Sequence, residues 1–278
     1  MVNSTLTIQD ICTGSKKTGS MKKFVTDTIL PFVILPVLLL IACISRPVTI
    51  TVMVVIAMGV LYVQSRPRQK NRSPFFFSWT LASCTTMFLV FEIGILGVLT
   101  ITQLEHFVLL VLINCTCYFF YKMKAVADFE LATGSSKGKV YSPVLTSDSL
   151  YCKVCQIEVN ERFFHSIWWD CCVLRPNYPY FLCGQLFAFV TLLYGSNLGL
   201  TTVCQPFVFY GDFLLPRDCE LVYYEFWPAL SFVTCVYGLG YSLVIALILL
   251  YHLFVYIPKY SGKKAIILHL VILKYKIA

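Results

Sequence analysis

Six apolar runs divide this sequence, at about 24–43, 48–65, 74–100, 104–121, 179–203 and 226–256. A helix needs ~20 apolar residues to cross the hydrocarbon core of a bilayer, whereas a membrane-spanning strand needs only ~10. Within lipid every backbone N–H and C=O must be paired inside the protein, so runs of this length are read as helices. The chain is 58% hydrophobic and only 13% charged, with a mean hydropathy of +0.75. A water-soluble domain does not carry that balance. The predicted fold class is therefore all-α: a polytopic membrane protein of about six transmembrane helices. The first run lacks the short apolar core and small-residue cleavage site of a removable signal peptide, so it is read as a retained span.

The basic residues fix a predicted orientation. Lys16, Lys17, Lys22 and Lys23 precede the first run, and Arg66, Arg68, Lys70 and Arg72 follow the second. Lys122 and Lys124 follow the fourth, and Lys137, Lys139, Lys153, Arg162 and Arg175 lie between the fourth and fifth. Lys259, Lys263, Lys264, Lys274 and Lys276 follow the sixth, and only Arg46 and Arg217 fall in the alternate loops. Such one-sided loading is the positive-inside pattern. It places both termini in the cytosol and gives the basic excess a bilayer rather than a nucleic acid as its partner. The expected organisation is a cytosolic tail (1–23), four spans (24–121), a cytosolic loop (122–178), two spans (179–256) and a basic cytosolic tail (257–278).

The connections read simply. "SRPVT" and "TITQLE" are short turns on the far side, and "ATGSSKGKVYSPVLTSDS" is a polar loop. "QPFVFYGDFLLPRDCELVYYEFW", between the last two spans, has the aromatic content of a membrane-interface belt. Asn-x-Ser/Thr sequons at Asn3, Asn71 and Asn114 fall on the cytosolic side or within a span, where glycosylation is not expected. Of 13 cysteines, Cys43, Cys84, Cys115, Cys117, Cys183, Cys204 and Cys235 lie in or at the ends of apolar runs and read as small hydrophobes.

A second group is different. Cys152, Cys155, Cys171 and Cys172 sit in the cytosolic loop with His165. In a reducing compartment, closely spaced cysteines bind metal or react more often than they form disulfides. Zinc takes four thiolate or imidazole ligands in a tetrahedron, and C-x2-C delivers two of them from one turn. His165 and a cysteine of the 171–172 pair supply the rest, and the spacing alone does not choose between Cys171 and Cys172.

The same segment resembles the cysteine-rich domain of the DHHC-type protein S-palmitoyltransferases, whose pattern is C-x2-C-x9-H-C-x2-C-x2-C-x4-D-H-H-C-x5-C-V-G-x2-N. Cys152, Cys155, His165 and Cys172 match in register and correspond to the family's first zinc site, which favours Cys172 as fourth ligand. Two second-site cysteines are replaced by Ser166 and Trp169. After Cys172 comes the correct four-residue spacer, 173–176, but the next residue is Asn177, which fits the family asparagine after C-V-G-x2. The D-H-H-C tetrad and about ten further residues are missing at that junction. "SPFFFSWTLASCTTMFLVFEIG" and "NYPYFLCGQLFAFVTLLYG" resemble the spans before and after the domain in six-span animal members. The family's Asp-Pro-Gly and Thr-Thr-x-Glu motifs are absent.

The resemblance implies an acyltransferase that works at the cytosolic face of the endoplasmic reticulum or Golgi, using palmitoyl-CoA as acyl donor and cysteines of other proteins as acceptors. In the family, the tetrad cysteine attacks the acyl thioester, forms a new thioester and releases CoA. The neighbouring histidine is the base. This chain has no counterpart of either residue, so no catalytic residue is assigned, and one zinc is expected where an intact relative would hold two. Cys171 and Cys183 are the substitute thiols to weigh, and core packing is the simpler reading of both. His106, His252 and His269 read as interface histidines, and Glu92 is a carboxylate within a span, where a structural hydrogen bond competes with a functional role. The alternatives are a non-enzymatic membrane adaptor that binds acyl-CoA or a partner, and a small channel or transporter.

Overall fold

The computed structural model describes residues 18–65, 74–95, 101–136, 151–152, 154–155, 157–158, 162–210 and 213–256. The tails, the 66–73 and 137–150 loops, Asn3, Asn71 and His269 lie outside the described residues. Six long helices carry the fold: α1 (Thr18–Ala42), α2 (Arg46–Ser65), α3 (Phe75–Val90), α4 (Gln103–Ser136), α5 (Tyr178–Val203) and α6 (Phe226–Tyr251). Single π-helical turns, Phe91–Ile95 and His252–Tyr256, extend α3 and α6. Five of the helices are long and apolar enough to cross a membrane, and α2 contributes a shorter apolar stretch, Arg46–Tyr62.

Which side of each helix faces inward is set by packing, because polarity hardly varies around these helices. On α1, Val25, Ile29, Val33, Val37 and Ile41 recur every four residues and are all exposed, while Leu35, Leu39 and Ala42 are fully buried. A stripe of large apolar side chains on the outside, with closely packed residues inside, is the pattern for a helix whose solvent is lipid. Pro31 and Pro36 sit inside α1; neighbouring helices in a membrane bundle make such positions tolerable.

The helices pack as a bundle in which α5 touches both α4 and α6, and α1 touches α2, α3 and α6. Close approach of α5 to its neighbours depends on glycine. A Cβ on Gly184 would lie 2.8 Å from the Phe120 ring of α4, and one on Gly199 would collide with Cys235 of α6. Between α3 and α6 the contact is polar. Trp79 Nε1 donates to the Tyr237 hydroxyl at 3.1 Å, Ser83 meets that hydroxyl at 2.8 Å, and Thr80 meets Tyr241 at 3.3 Å. Such interhelical hydrogen bonds contribute about 0.6–2 kcal/mol each in lipid.

Two features depart from the sequence reading. The fourth span, expected to end at 121, continues as helix to Ser136. No proline and no glycine before Gly134 interrupts it, and Lys122, Lys124, Glu130 and the alanines are good helix formers. "TITQLE" is also more than a turn: Thr102 N–H and hydroxyl both donate to Glu105, and the Glu105 N–H donates back to the Thr102 hydroxyl, a capping box that starts α4.

Among the described residues, six short strands form three antiparallel pairs: β1 (Tyr151–Cys152) with β2 (Ile157–Glu158), β3 (Arg162–Ser166) with β4 (Cys171–Leu174), and β5 (Gln205–Tyr210) with β6 (Phe213–Asp218). The first two pairs lie before α5, and the third lies after it. Cys204, read from sequence as a small hydrophobe, is instead disulfide-bonded to Cys219, closing the base of the β5–β6 hairpin. The apolar run masked this pairing, since its partner lay 15 residues away in a loop read as an aromatic belt.

Candidate metal centre

The two small hairpins before α5 carry the candidate metal ligands. In the first, Val154 and Cys155 turn the chain between β1 and β2, and the Cys155 N–H donates to Cys152 Sγ at 3.4 Å. In the second, His165 on β3 lies directly opposite Cys172 on β4. Side chains of directly paired residues project to the same face with their Cβ atoms ~5 Å apart. The strand period of two then separates the adjacent cysteines. Cys172 and Leu174 pack on the β1 side with Cys152, Val154 and Leu131, whereas Cys171 and Val173 pack on the other side with Phe120, Met123 and Tyr178. The choice that spacing leaves open is therefore made by strand alternation.

The structure brings Cys152, Cys155, His165 and Cys172 together, with all four donor atoms within 4.8 Å of one another. His165 Nδ1 lies 3.8 Å from Cys152 Sγ, 3.5 Å from Cys155 Sγ and 3.6 Å from Cys172 Sγ, and the Cys155 and Cys172 sulfurs are 3.6 Å apart. A tetrahedral zinc with ligands at ~2.3 Å (sulfur) and ~2.0 Å (nitrogen) has edges of about 3.8 Å between sulfurs and about 3.5 Å between sulfur and nitrogen. The donor set fits such an ion in both identity and size.

Within the cluster the thiols and the imidazole perturb one another. Cys155 is held well below the usual thiol range, first by the hydrogen bond from Cys172 and then by His165. Cys172 is pushed up by the same hydrogen bond and by burial. For His165, burial lowers the pKa, but the Asp170 carboxylate and Cys155 outweigh it and raise it to about 9. Cys171 is pushed up to about 12, chiefly by burial, which makes it a poor nucleophile at neutral pH.

The knuckle is bound to the helices by residues that sequence reading undervalued. Asn177 is fully buried. Its Oδ1 accepts from the Leu174 N–H at 2.7 Å, and its Nδ2 donates to the carbonyls of Cys172 at 3.0 Å and Met123 of α4 at 3.1 Å. One amide thus joins a candidate ligand strand, the start of α5 and the wall of α4. Trp169 stacks on Phe120 with ring centroids 3.7 Å apart, and Trp168 meets Phe76 at 4.9 Å and Tyr241 at 6.1 Å. An aromatic staple stands where the family pattern has a second-site cysteine. Composition offered a signal for it: adjacent tryptophans in a segment between two spans must find apolar cover.

The remaining candidates are scattered. His252, at the end of α6, is buried, with Nδ1 3.3 Å from the Tyr178 hydroxyl and its ring against Phe164 and Phe181. Glu92 is paired with His106 at 3.0 Å, near the end of the bundle remote from the knuckle. Cys183 is a partly buried free thiol on α5, and Asn114 donates to the Leu110 carbonyl within α4.

Comparison with known proteins agrees with this geometry. Residues 142–266 match the family model described as DHHC palmitoyltransferase. The chain is 34% identical over 106 residues to human Palmitoyltransferase ZDHHC23, an alignment covering 35% of this chain and 25% of that protein. It is 30% identical over 105 residues to the mouse protein of the same name, covering 35% of this chain and 24% of that protein. Palmitoyltransferase ZDHHC23-A of Danio rerio is 32% identical over 105 residues, covering 38% of this chain and 24% of that protein. No solved structure matches. The likeness to DHHC-type palmitoyltransferases therefore falls on 142–266, the part that carries the Cys/His cluster, α5 and α6. The matched part of the chain spans about a quarter of the length of these curated relatives.

Proposed function

We propose that this chain is an integral-membrane, palmitoyltransferase-type protein. It holds one zinc at the cytosolic face and does not itself form the acyl-enzyme through which that family transfers palmitate from palmitoyl-CoA to protein cysteines. The observation that carries the proposal is the Cys172–Asn177 link. The strand that presents the fourth candidate ligand runs through a four-residue spacer straight into a buried, fully hydrogen-bonded asparagine. The knuckle is complete across the junction where the tetrad would lie.

The thiols that remain support the same reading. A thiolate nucleophile needs a lowered pKa or an adjacent base. Cys152, Cys155 and Cys172 are committed to the metal in this account, Cys171 is buried and pushed up, and Cys183 lies in the spanning helix α5. When bound, the zinc supplies a cross-link that fixes the two hairpins, and the chain's own residues orient it. The retained knuckle, stapled to α3, α4 and α6, also favours an adaptor role in which the cytosolic face binds a partner or acyl-CoA without turnover.

Orientation follows from redox chemistry as well as charge. The free-thiol cluster precedes α5 and the disulfide follows it, separated by 26 helical residues or about 39 Å. Thiolate metal sites persist in reducing cytosol and disulfides in an oxidising lumen. This arrangement supports a cytosolic knuckle and a lumenal β5–β6 hairpin, with the endoplasmic reticulum or Golgi as the membrane.

Labelling with an alkynyl palmitate analogue tests the chemistry. The chain expressed beside a tetrad-containing relative should show no hydroxylamine-sensitive label above that of its own Cys171→Ser, Cys183→Ser variant. Strong label lost in that variant would establish a substitute nucleophile and end the claim of inactivity.

A further inference from the structure

The turn between β3 and β4 holds a residue that the metal-ligand pattern does not include. Asp170 has a positive φ of 47°, and its Oδ1 lies 3.6 Å from His165 Nε2, the ring nitrogen that faces away from the thiols. The histidine side chain is 6% exposed and the aspartate side chain 20%. A neutral imidazole carries one ring proton, so His165 can offer a bare Nδ1 to a cation only when that proton sits on Nε2. A carboxylate facing Nε2 selects that tautomer, stops the ring from turning and strengthens Nδ1 as a donor.

The backbone adds a second, independent point. Left-handed φ is the ordinary place for glycine, with asparagine and aspartate the usual exceptions. Aspartate, unlike glycine, can place a carboxylate beside the ring of His165 from this turn.

We infer that Asp170 is a positioning residue for the metal centre: it holds Nε2 of His165 so that Nδ1 points at the cation shared with Cys152, Cys155 and Cys172. The inference rests on the zinc reading above. It assigns a metal-tuning role to a turn residue outside the four-ligand set, and it makes the strength of the site depend on one carboxylate.

Two substitutions separate the carboxylate from the turn. Asp170→Gly suits the backbone fully and removes the side chain. Asp170→Asn keeps an acceptor of the same shape and removes the charge. Zinc affinity of the full-length chain in detergent, read by competition with a chromophoric chelator, should fall about 10–100-fold in Asp170→Gly and by an intermediate factor in Asp170→Asn. Cobalt-loaded samples should show a shifted ligand-field band in Asp170→Gly, as expected when the imidazole rotates. A turn-only role predicts the opposite order, with Asp170→Gly binding as tightly as the parent, and that result would overturn the inference. A parent chain that binds no zinc would sink the metal reading itself, and this inference with it.

Discussion

Replacement of Cys172 by serine is expected to lower zinc affinity by about two orders of magnitude. Structural zinc sites of this type bind with roughly 10–16 kcal/mol, shared among four ligands. Loss of one ligand therefore removes about 3 kcal/mol, and every 1.4 kcal/mol is tenfold. The serine would also bury a hydroxyl where a fully enclosed sulfur faced two other donors. Because these short hairpins have little core of their own, weaker metal binding should show as faster proteolysis between Tyr151 and Leu174. Cys171→Ser is the matched comparison: it lies next in sequence, is equally buried and faces the other side of β4. It should retain zinc at the parental level. Chelator competition on the two variants decides the point, and equal losses would mean that strand alternation does not select the ligand.

The second large effect is expected at Asn177. Asn177→Asp keeps an oxygen for the Leu174 N–H but turns the two donated hydrogen bonds into contacts between a buried carboxylate and the carbonyls of Met123 and Cys172. An uncompensated buried charge costs about 3–5 kcal/mol, a large share of what holds any domain together. The expected result is a strongly lowered melting temperature for the detergent-solubilised chain, together with loss of zinc. One side chain serves both the helix bundle and the knuckle, so the two signals should fall together. Stability unchanged in Asn177→Asp would show that the junction is not closed through this amide.

The sequence exposed the membrane architecture because lipid imposes long apolar runs that no soluble fold needs, and α1 to α6 lie where those runs fall. It also exposed the C-x2-C and His165, since metal chemistry demands those residue types at short spacing. What it concealed was anything settled by direction rather than spacing. Cys171 and Cys172 are indistinguishable in one dimension and opposite in a strand. Asp170 reads as a surface acid until a left-handed turn sets it beside His165. Cys204 reads as a hydrophobe until β5 and β6 return Cys219 to it. The long α4 is concealed for another reason: in sequence the charges after 121 read as the end of the helix, whereas they end only its apolar part. Met123, Ala127 and Leu131, four residues apart beyond that boundary, form the wall on which the knuckle rests.

The most direct measurement is the metal content of the full-length chain purified in detergent without chelators. The donor set of Cys152, Cys155, His165 and Cys172, with Trp169 and Ser166 in place of second-site cysteines, predicts one zinc per chain. A chain carrying two zinc ions, or none, would contradict it.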